Sequence, residues 1–255
     1  IKRLSLDEKM SGFSLKKMSL KLVANNKQTS IDNFAIELPE TSLKMDTIHL
    51  VYDSLQAFEH FAEEVHFSFR TLPSQITLKD ISPFVPVLSH FKEPITLDME
   101  VKGTVDQLNC SHLEIVSEEQ QFRLRGDVSL QDLSHPQDAY VYGTLSELSA
   151  NTRGVGFLVR NLNPDYNGVP PILERLGNIS FRGEISGYFT DLVTYGQLRT
   201  SLGDVKTDLK LSADKSKGLF AYSGAVKTTD FKLGELLANE QLGEITFNLD
   251  VHGRH

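Results

Sequence analysis

Apolar and polar residues alternate one by one along most of this chain, the period of strands with one greasy and one wet face. Three stretches carry the pattern most clearly: Ile95-Thr-Leu-Asp-Met-Glu-Val-Lys-Gly103, Ile179-Ser-Phe-Arg-Gly-Glu-Ile-Ser-Gly187 and Ile245-Thr-Phe-Asn-Leu-Asp-Val-His-Gly253. Each opens on Ile, continues with Ser or Thr, and closes on Gly. Ile95, Leu97, Met99 and Val101 share one side, and Ile245, Phe247, Leu249 and Val251 do the same. The middle copy keeps Ile179, Phe181 and Ile185, with Gly183 as its gap. Three dispersed copies make an internal repeat.

The repeat strands are joined by more of the same. Phe122, Leu124, Val128 and Leu130 alternate with Gly126 in phase; Leu209 and Leu211 follow, then Phe220, Tyr222 and Val226 with Gly224 in phase. A short helical candidate precedes each repeat strand. Ser82-Pro83 can start one bearing Phe84, Val87, Leu88 and Phe91. Pro170-Pro171 can start a second bearing Ile172, Leu173 and Leu176, stopped by Gly177. Leu233, Leu236, Leu237 and Leu242 suggest a third, stopped by Gly243. The unit is therefore a helix followed by a meander of roughly four strands.

Upstream, Met18, Leu20 and Leu22 share a face, as do Phe34, Ile36 and Leu38. Leu43 and Met45 begin a further strand, which Ile48, Leu50 and Tyr52 continue after a phase shift read as a bulge. At Asp53-Ser54 the period changes. Leu55, Phe58, Phe61, Ala62 and Val65 predict an amphipathic helix over about 55–65, after which Phe67 and Phe69 resume the alternation. Residues 143–170 are the least patterned and are expected to be long loops or a distorted edge. The expected organisation is an N-terminal β segment (1–94) with that helix and a short one near 82–91. Two repeat units follow (95–178 and 179–244), then the start of a truncated third (245–255).

The bulk numbers narrow the function. Over 255 residues the net charge is −8, with no Lys/Arg cluster, which argues against nucleic acid as a partner. No run approaches the roughly 18 apolar residues of a membrane helix, and no signal-peptide pattern opens the chain. It begins at Ile1 inside an alternating pattern and stops two residues beyond Gly253, so a piece of a longer protein is expected. Cys110 is the only cysteine, so no internal disulfide exists, and without an adjacent base it reads as a passive thiol.

Candidate catalytic and metal motifs in the sequence are incomplete. Asn163-Pro-Asp-Tyr-Asn-Gly168 with Glu174 places oxygens much as a calcium loop does, but Pro170 and Pro171 occupy positions where that loop needs backbone donors. A turn without metal is expected. His60 and His66 stand six apart and do not stack on one helix face as a ligand pair would. Gly154 and Gly156 lack the third glycine of a dinucleotide loop. No enzyme activity, cofactor or metal is expected.

The stretch from Ile179 to Gly253 resembles the Bacteroidetes branch of the TamB family, translocation and assembly module subunits within the AsmA-like superfamily. The resemblance rests on Phe181-Arg-Gly-Glu-Ile-Ser-Gly187, Gly196-Gln-Leu-Arg-Thr-Ser-Leu-Gly203, Thr229-Asp-Phe-Lys-Leu-Gly-Glu-Leu-Leu237 and Leu242-Gly-Glu-Ile-Thr-Phe247. Ser11-Gly-Phe-Ser-Leu-Lys-Lys-Met-Ser-Leu20 is similar to the family as well. It implies a mainly β, elongated, curved groove (β-taco-like) of antiparallel amphipathic strands, with short helices between repeats. It also implies a periplasmic segment of a Gram-negative protein whose inner-membrane anchor lies outside this chain. The implied role is outer-membrane biogenesis, through transport of phospholipid or another acyl-chain lipid, or through outer-membrane protein assembly with an insertase partner.

A one-faced repeat must put its apolar side somewhere. One outcome is an ordinary core, a β-sandwich or a sheet closed by helices. The other is an open trough whose cargo-facing residues are the odd positions of the three repeats, joined by Phe122, Leu124, Leu209 and Leu211. Periodicity does not separate the two. The functional alternatives are an envelope-spanning scaffold and a β-sandwich adhesin or glycan binder; the absence of Trp weighs against the last.

Overall fold

The computed structural model describes every residue except 2, 8–12, 84–87, 90, 136–137, 163–167, 215–218 and 255. Among them, sixteen strands form one antiparallel sheet. The N-terminal strands are β1 (Leu4–Asp7), β2 (Ser14–Ala24), β3 (Gln28–Glu37), β4 (Ser42–Lys44), β5 (Ile48–Val51), β6 (His66–Arg70) and β7 (Ser74–Ile76). The meander continues through β8 (Ile95–Gly103), β9 (Gln107–Ser117), β10 (Phe122–Gln131), β11 (Tyr140–Ala150) and β12 (Ile179–Tyr188). It ends with β13 (Asp191–Thr200), β14 (Gly203–Asp214), β15 (Leu219–Lys232) and β16 (Glu244–Arg254).

From β8 to β16 each strand pairs with the next in sequence. The three repeat strands are β8, β12 and β16, so the repeat advances by four strands, and the sheet runs unbroken across positions 94, 178 and 244. Gly103 and Gly187 close their strands with φ of 125° and 129°. A Cβ there would lie 2.0 Å from the Gln107 carbonyl and 2.2 Å from that of Asp191, so the hairpins to β9 and β13 require glycine.

The N-terminal part differs from the expected single bulged strand at 43–52. The sheet forks: β3 pairs β4 through Ala35–Glu37 and β5 through Gln28–Ile31, while β8 pairs β7 through Ile95–Leu97 and β6 through Glu100–Gly103. Met45 bridges Thr71 between the two branches.

The helices are short. Residues Leu55–His60 form a 3-10 turn that runs into α1 (Phe61–Glu64), close to the predicted span. Its inward residues are Ala57 and Val65, whereas Leu55 is 58% exposed. Before β8 a 3-10 turn forms at Leu78–Ile81, earlier than expected, and Phe84 and Val87 lie outside the described residues. α3 (Pro171–Arg175) starts on its proline and stops at Gly177 in the left-handed region, as predicted. α4 (Leu233–Leu237) ends not at Gly243 but at Ala238, which itself takes the left-handed cap (φ 52°).

The largest departure is at 143–170. β11 runs to Ala150, and α2 (Thr152–Leu162) follows at once, with the Asn151 side-chain oxygen accepting the Gly154 N–H at 2.9 Å. Gly154 is where α2 meets the sheet: a Cβ there would sit 1.9 Å from the Gln121 carbonyl oxygen.

Candidate functional site

Cross-strand partners in an antiparallel sheet share a face, so the register sorts every strand residue into an inner or outer layer. One row can be followed across nine strands: Leu97, Ile115, Leu124, Leu148 and Phe181, then Leu198, Val205, Thr228 and Phe247. A parallel row runs through Val101, Cys110, Val128, Gly143 and Ile185, then Thr194, Leu209, Gly224 and Val251. Equivalent repeat positions therefore fall in the same rows. Ile95, Ile179 and Ile245 lie one row before the first, opposite Ser117, Ala150 and Phe231; Gly183 and Leu249, with Met99 at the bulge, occupy the row between the two above; Leu211 joins a last row beside Leu192 and Tyr222.

Bulges keep the rows in phase. In β9 the apolar positions jump from Leu108 and Cys110 to Leu113 and Ile115, and His112, with φ 54°, is the extra residue. The Asp127 carboxylate accepts its N–H at 3.1 Å. In β15 Asp230 (φ 50°) does the same and donates its N–H to Thr246 Oγ1. At the gap, Gly183 and Gly196 are paired neighbours, and Cβ atoms there would lie within 3 Å of the Phe181 ring, so that ring fills the missing volume.

Burial is uneven along this face. Ile95, Val101 and Phe122 are under a tenth exposed. Leu97, Met99, Leu124, Ile179, Phe181 and Ile185 are partly exposed, as are Leu209, Leu211, Ile245, Phe247 and Val251; Leu249 is 52% exposed. The gradient follows the helices. Val155 and Phe157 of α2 join Ile76, Ile95, Phe122 and Ala150 in one core, with Phe122 and Phe157 stacked at 5.7 Å. α3 leans on α2, and Arg175 Nη1 donates to the Leu236 carbonyl of α4 at 3.0 Å. These helices line one long border of the inner face. At the opposite border Tyr52, Ala57 and Val65 make a second small core under the 55–64 segment. Its rings continue onto the sheet: Phe58–Phe61, Phe61–Phe67 and Phe67–Phe69 lie 6.1, 6.4 and 6.2 Å apart. Between the borders most described inner residues of β13–β16 are partly exposed, Leu249 is half exposed, and Thr228 is buried.

The total surface agrees with an uncovered face. It is 15856 Å², against roughly 11,300 Å² for a compact monomer of this mass.

The outer face is polar and laced with ion pairs near β8–β11. Arg125 reaches Glu114 at 2.7 Å and Glu147 at 3.6 Å, and Arg70 reaches Asp98 at 3.5 Å. The guanidiniums of these pairs are exposed and the carboxylates partly buried, so each pair contributes modest stability.

No group of three or more metal-ligating side chains converges among the described residues, and residues 163–167 of the calcium-like loop lie outside the description. His60 and His66 are exposed. Cys110 is buried on the inner face between Val101 and Val128, and burial pushes its thiol up to about 11, against thiolate chemistry. One open notch of 390 Å³ lies at strand ends beside Asn151, Asn178 and Ser201, and another of the same volume lies beside the His112 bulge. No helix is long and apolar enough to cross a membrane among the described residues. Compared with family models, curated proteins and solved structures, the chain matches none.

Proposed function

We propose that this chain is a non-catalytic segment of an envelope lipid conduit, its inner face carrying acyl chains along the row of strands. The observation that carries the reading is the continuous apolar face from β8 to β16, walled at its borders by short helices and uncovered between them. Such a face costs free energy in water unless something apolar rests on it. An acyl chain suits it because it needs contact without a fixed polar anchor, and the rows offer Ile, Leu, Val and Phe at every strand.

On the resemblance of 179–253 to the TamB family, the proposal includes a periplasmic setting, with an inner-membrane anchor outside the chain and an outer-membrane insertase as partner. These assignments rest on that resemblance.

The test is mass spectrometry of lipids extracted from the chain purified without detergent. Acyl-chain lipid in near-stoichiometric amount is expected. A protein that emerges lipid-free, and remains so after incubation with phospholipid vesicles, overturns the proposal.

A further inference from the structure

The outer face changes character beyond β11. Two adjacent rows cross it with opposite charge. One holds Glu184, Tyr195, Asp208, Ala225 and Asp250; the other, two residues away on each strand, holds Arg182, Gln197, Lys206, Lys227 and Asn248. The charged residues of β8–β10 are largely paired across strands, yet none of these six charges joins an ion pair among the described residues. The same region carries large side chains that a solvated face does not need: Tyr195 is 64% exposed, Tyr188 49%, Tyr142 46% and Val193 40%.

We propose that this face is a two-fold interface with a second copy of the chain. Charge complementarity selects that occupant. Under a two-fold axis lying between the rows and parallel to them, the acidic row of one copy falls on the basic row of the other. Glu184 then meets the second copy's basic row at the level of β12, and Asp208 meets it at the level of β14, each twice by symmetry. The same operation lays the two sheets face to face with their strands aligned, a standard way for sheets to pack. The tyrosines supply the apolar contact that charges alone lack. Six strands at about 4.8 Å, over four row spacings, give a patch of about 650 Å². That is near the lower end for a specific interface, so the dimer is weak and salt-sensitive. Both inner faces stay open, so this inference stands apart from lipid carriage.

Sedimentation analysis with charge-swapped variants tests it. The wild-type chain is expected to dimerise, about tenfold more weakly in about 0.5 M salt than in about 0.05 M salt. An all-acidic variant (Arg182→Glu with Lys206→Glu) and an all-basic one (Glu184→Lys with Asp208→Lys) should each be monomeric. Mixed together they should form a heterodimer. These side chains are exposed, and circular dichroism checks that each variant remains folded. A monomeric wild type, variants that dimerise as the wild type does, or a folded pair that fails to associate on mixing overturns the proposal.

Discussion

A carboxylate placed on the inner face should have two very different consequences depending on where it lands. At Leu209, in β14, the row neighbours are Thr194 and Gly224, and Leu209 belongs to neither described core. Leu209 is only partly buried. Full burial of a Leu side chain contributes about 1.5–3 kcal/mol, so losing part of that burial costs about 1 kcal/mol. The poorer strand preference of Asp adds up to about 1 kcal/mol. Water reaches the new charge, so no desolvation penalty follows. At Phe122 the side chain is 5% exposed, under Phe157 and beside Ala150. Truncation there costs about 3–5 kcal/mol, before an unpaired buried carboxylate adds several more. That total matches the whole stability of an ordinary domain, about 5–15 kcal/mol.

Leu209→Asp is therefore expected to stay folded in urea titrations and by circular dichroism while losing most of its extractable lipid. Phe122→Asp should unfold or aggregate. Leu97 is a poorer probe, because it packs against the α2 core and mixes both effects. If Leu209→Asp unfolds as severely as Phe122→Asp, the face is a closed core and the reasoning fails. If it stays folded and keeps its lipid, acyl chains do not travel along this row.

Further outcomes follow from the same geometry. Gly154→Ala pushes a Cβ into the Gln121 carbonyl and should destabilise by about 1–3 kcal/mol, whereas Gly156→Ala meets mainly the flexible end of Arg160 and should be neutral or stabilising; thermal melts of both decide it. Cys110 should alkylate far more slowly in the native protein than in urea at pH 8, and equal rates would refute its burial. Because folding raises its pKa, stability should begin to fall as pH rises above about 8.5, the ordinary thiol value, and Cys110→Ala should remove that component. His135 hydrogen-bonds Asp132 at 2.8 Å, which raises its pKa; the pair's contribution is complete below the ordinary histidine range and fades as pH climbs through the raised value. An NMR titration should show the shift shrink in Asp132→Asn, with Asp106 and Asp138 left as smaller contributors.

The rows of the inner face were legible because alternation survives wherever a strand is regular. Ile95, Leu97, Met99 and Val101 could be assigned to one side from spacing alone. Linking distant strands was harder. Phase jumps at His112 and Asp230 insert one residue each, and only the partner strand reveals which residue is extra. The fork was invisible because it depends on β3 and β8 each pairing with two partners. α2 was missed for a local reason: Gly154 and Gly156 weaken the helical signal, and Gly154 is demanded by the Gln121 backbone from outside its own segment. Asn151, followed by Val155, Leu158 and Val159 at helical spacing, was the available clue. The left-handed cap at Ala238, where glycine would be favoured, had no such clue.

A sheet with one apolar face can hide it by closing into a barrel, by adding a second layer, or by holding cargo. Closure would join the ends of the sheet, and among the described residues β1 and β16 do not pair. A second layer needs elements long enough to cross the strands. The longest described helix, α2, spans eleven residues, and it lies at the border with α3 and α4. On the proposed reading the face holds cargo, and the scale of an acyl chain suits it. Nine strands from β8 to β16, at about 4.8 Å apart, span about 38 Å. One acyl tail reaches about half the roughly 30 Å thickness of a bilayer core, so more than one fits in series. Moving such a tail through water would cost about 0.8 kcal/mol per methylene, on the order of 12 kcal/mol in all. A row presenting an apolar or methyl-bearing residue at nearly every strand lets each step replace the contact it gives up, which removes the need for any binding site along the way.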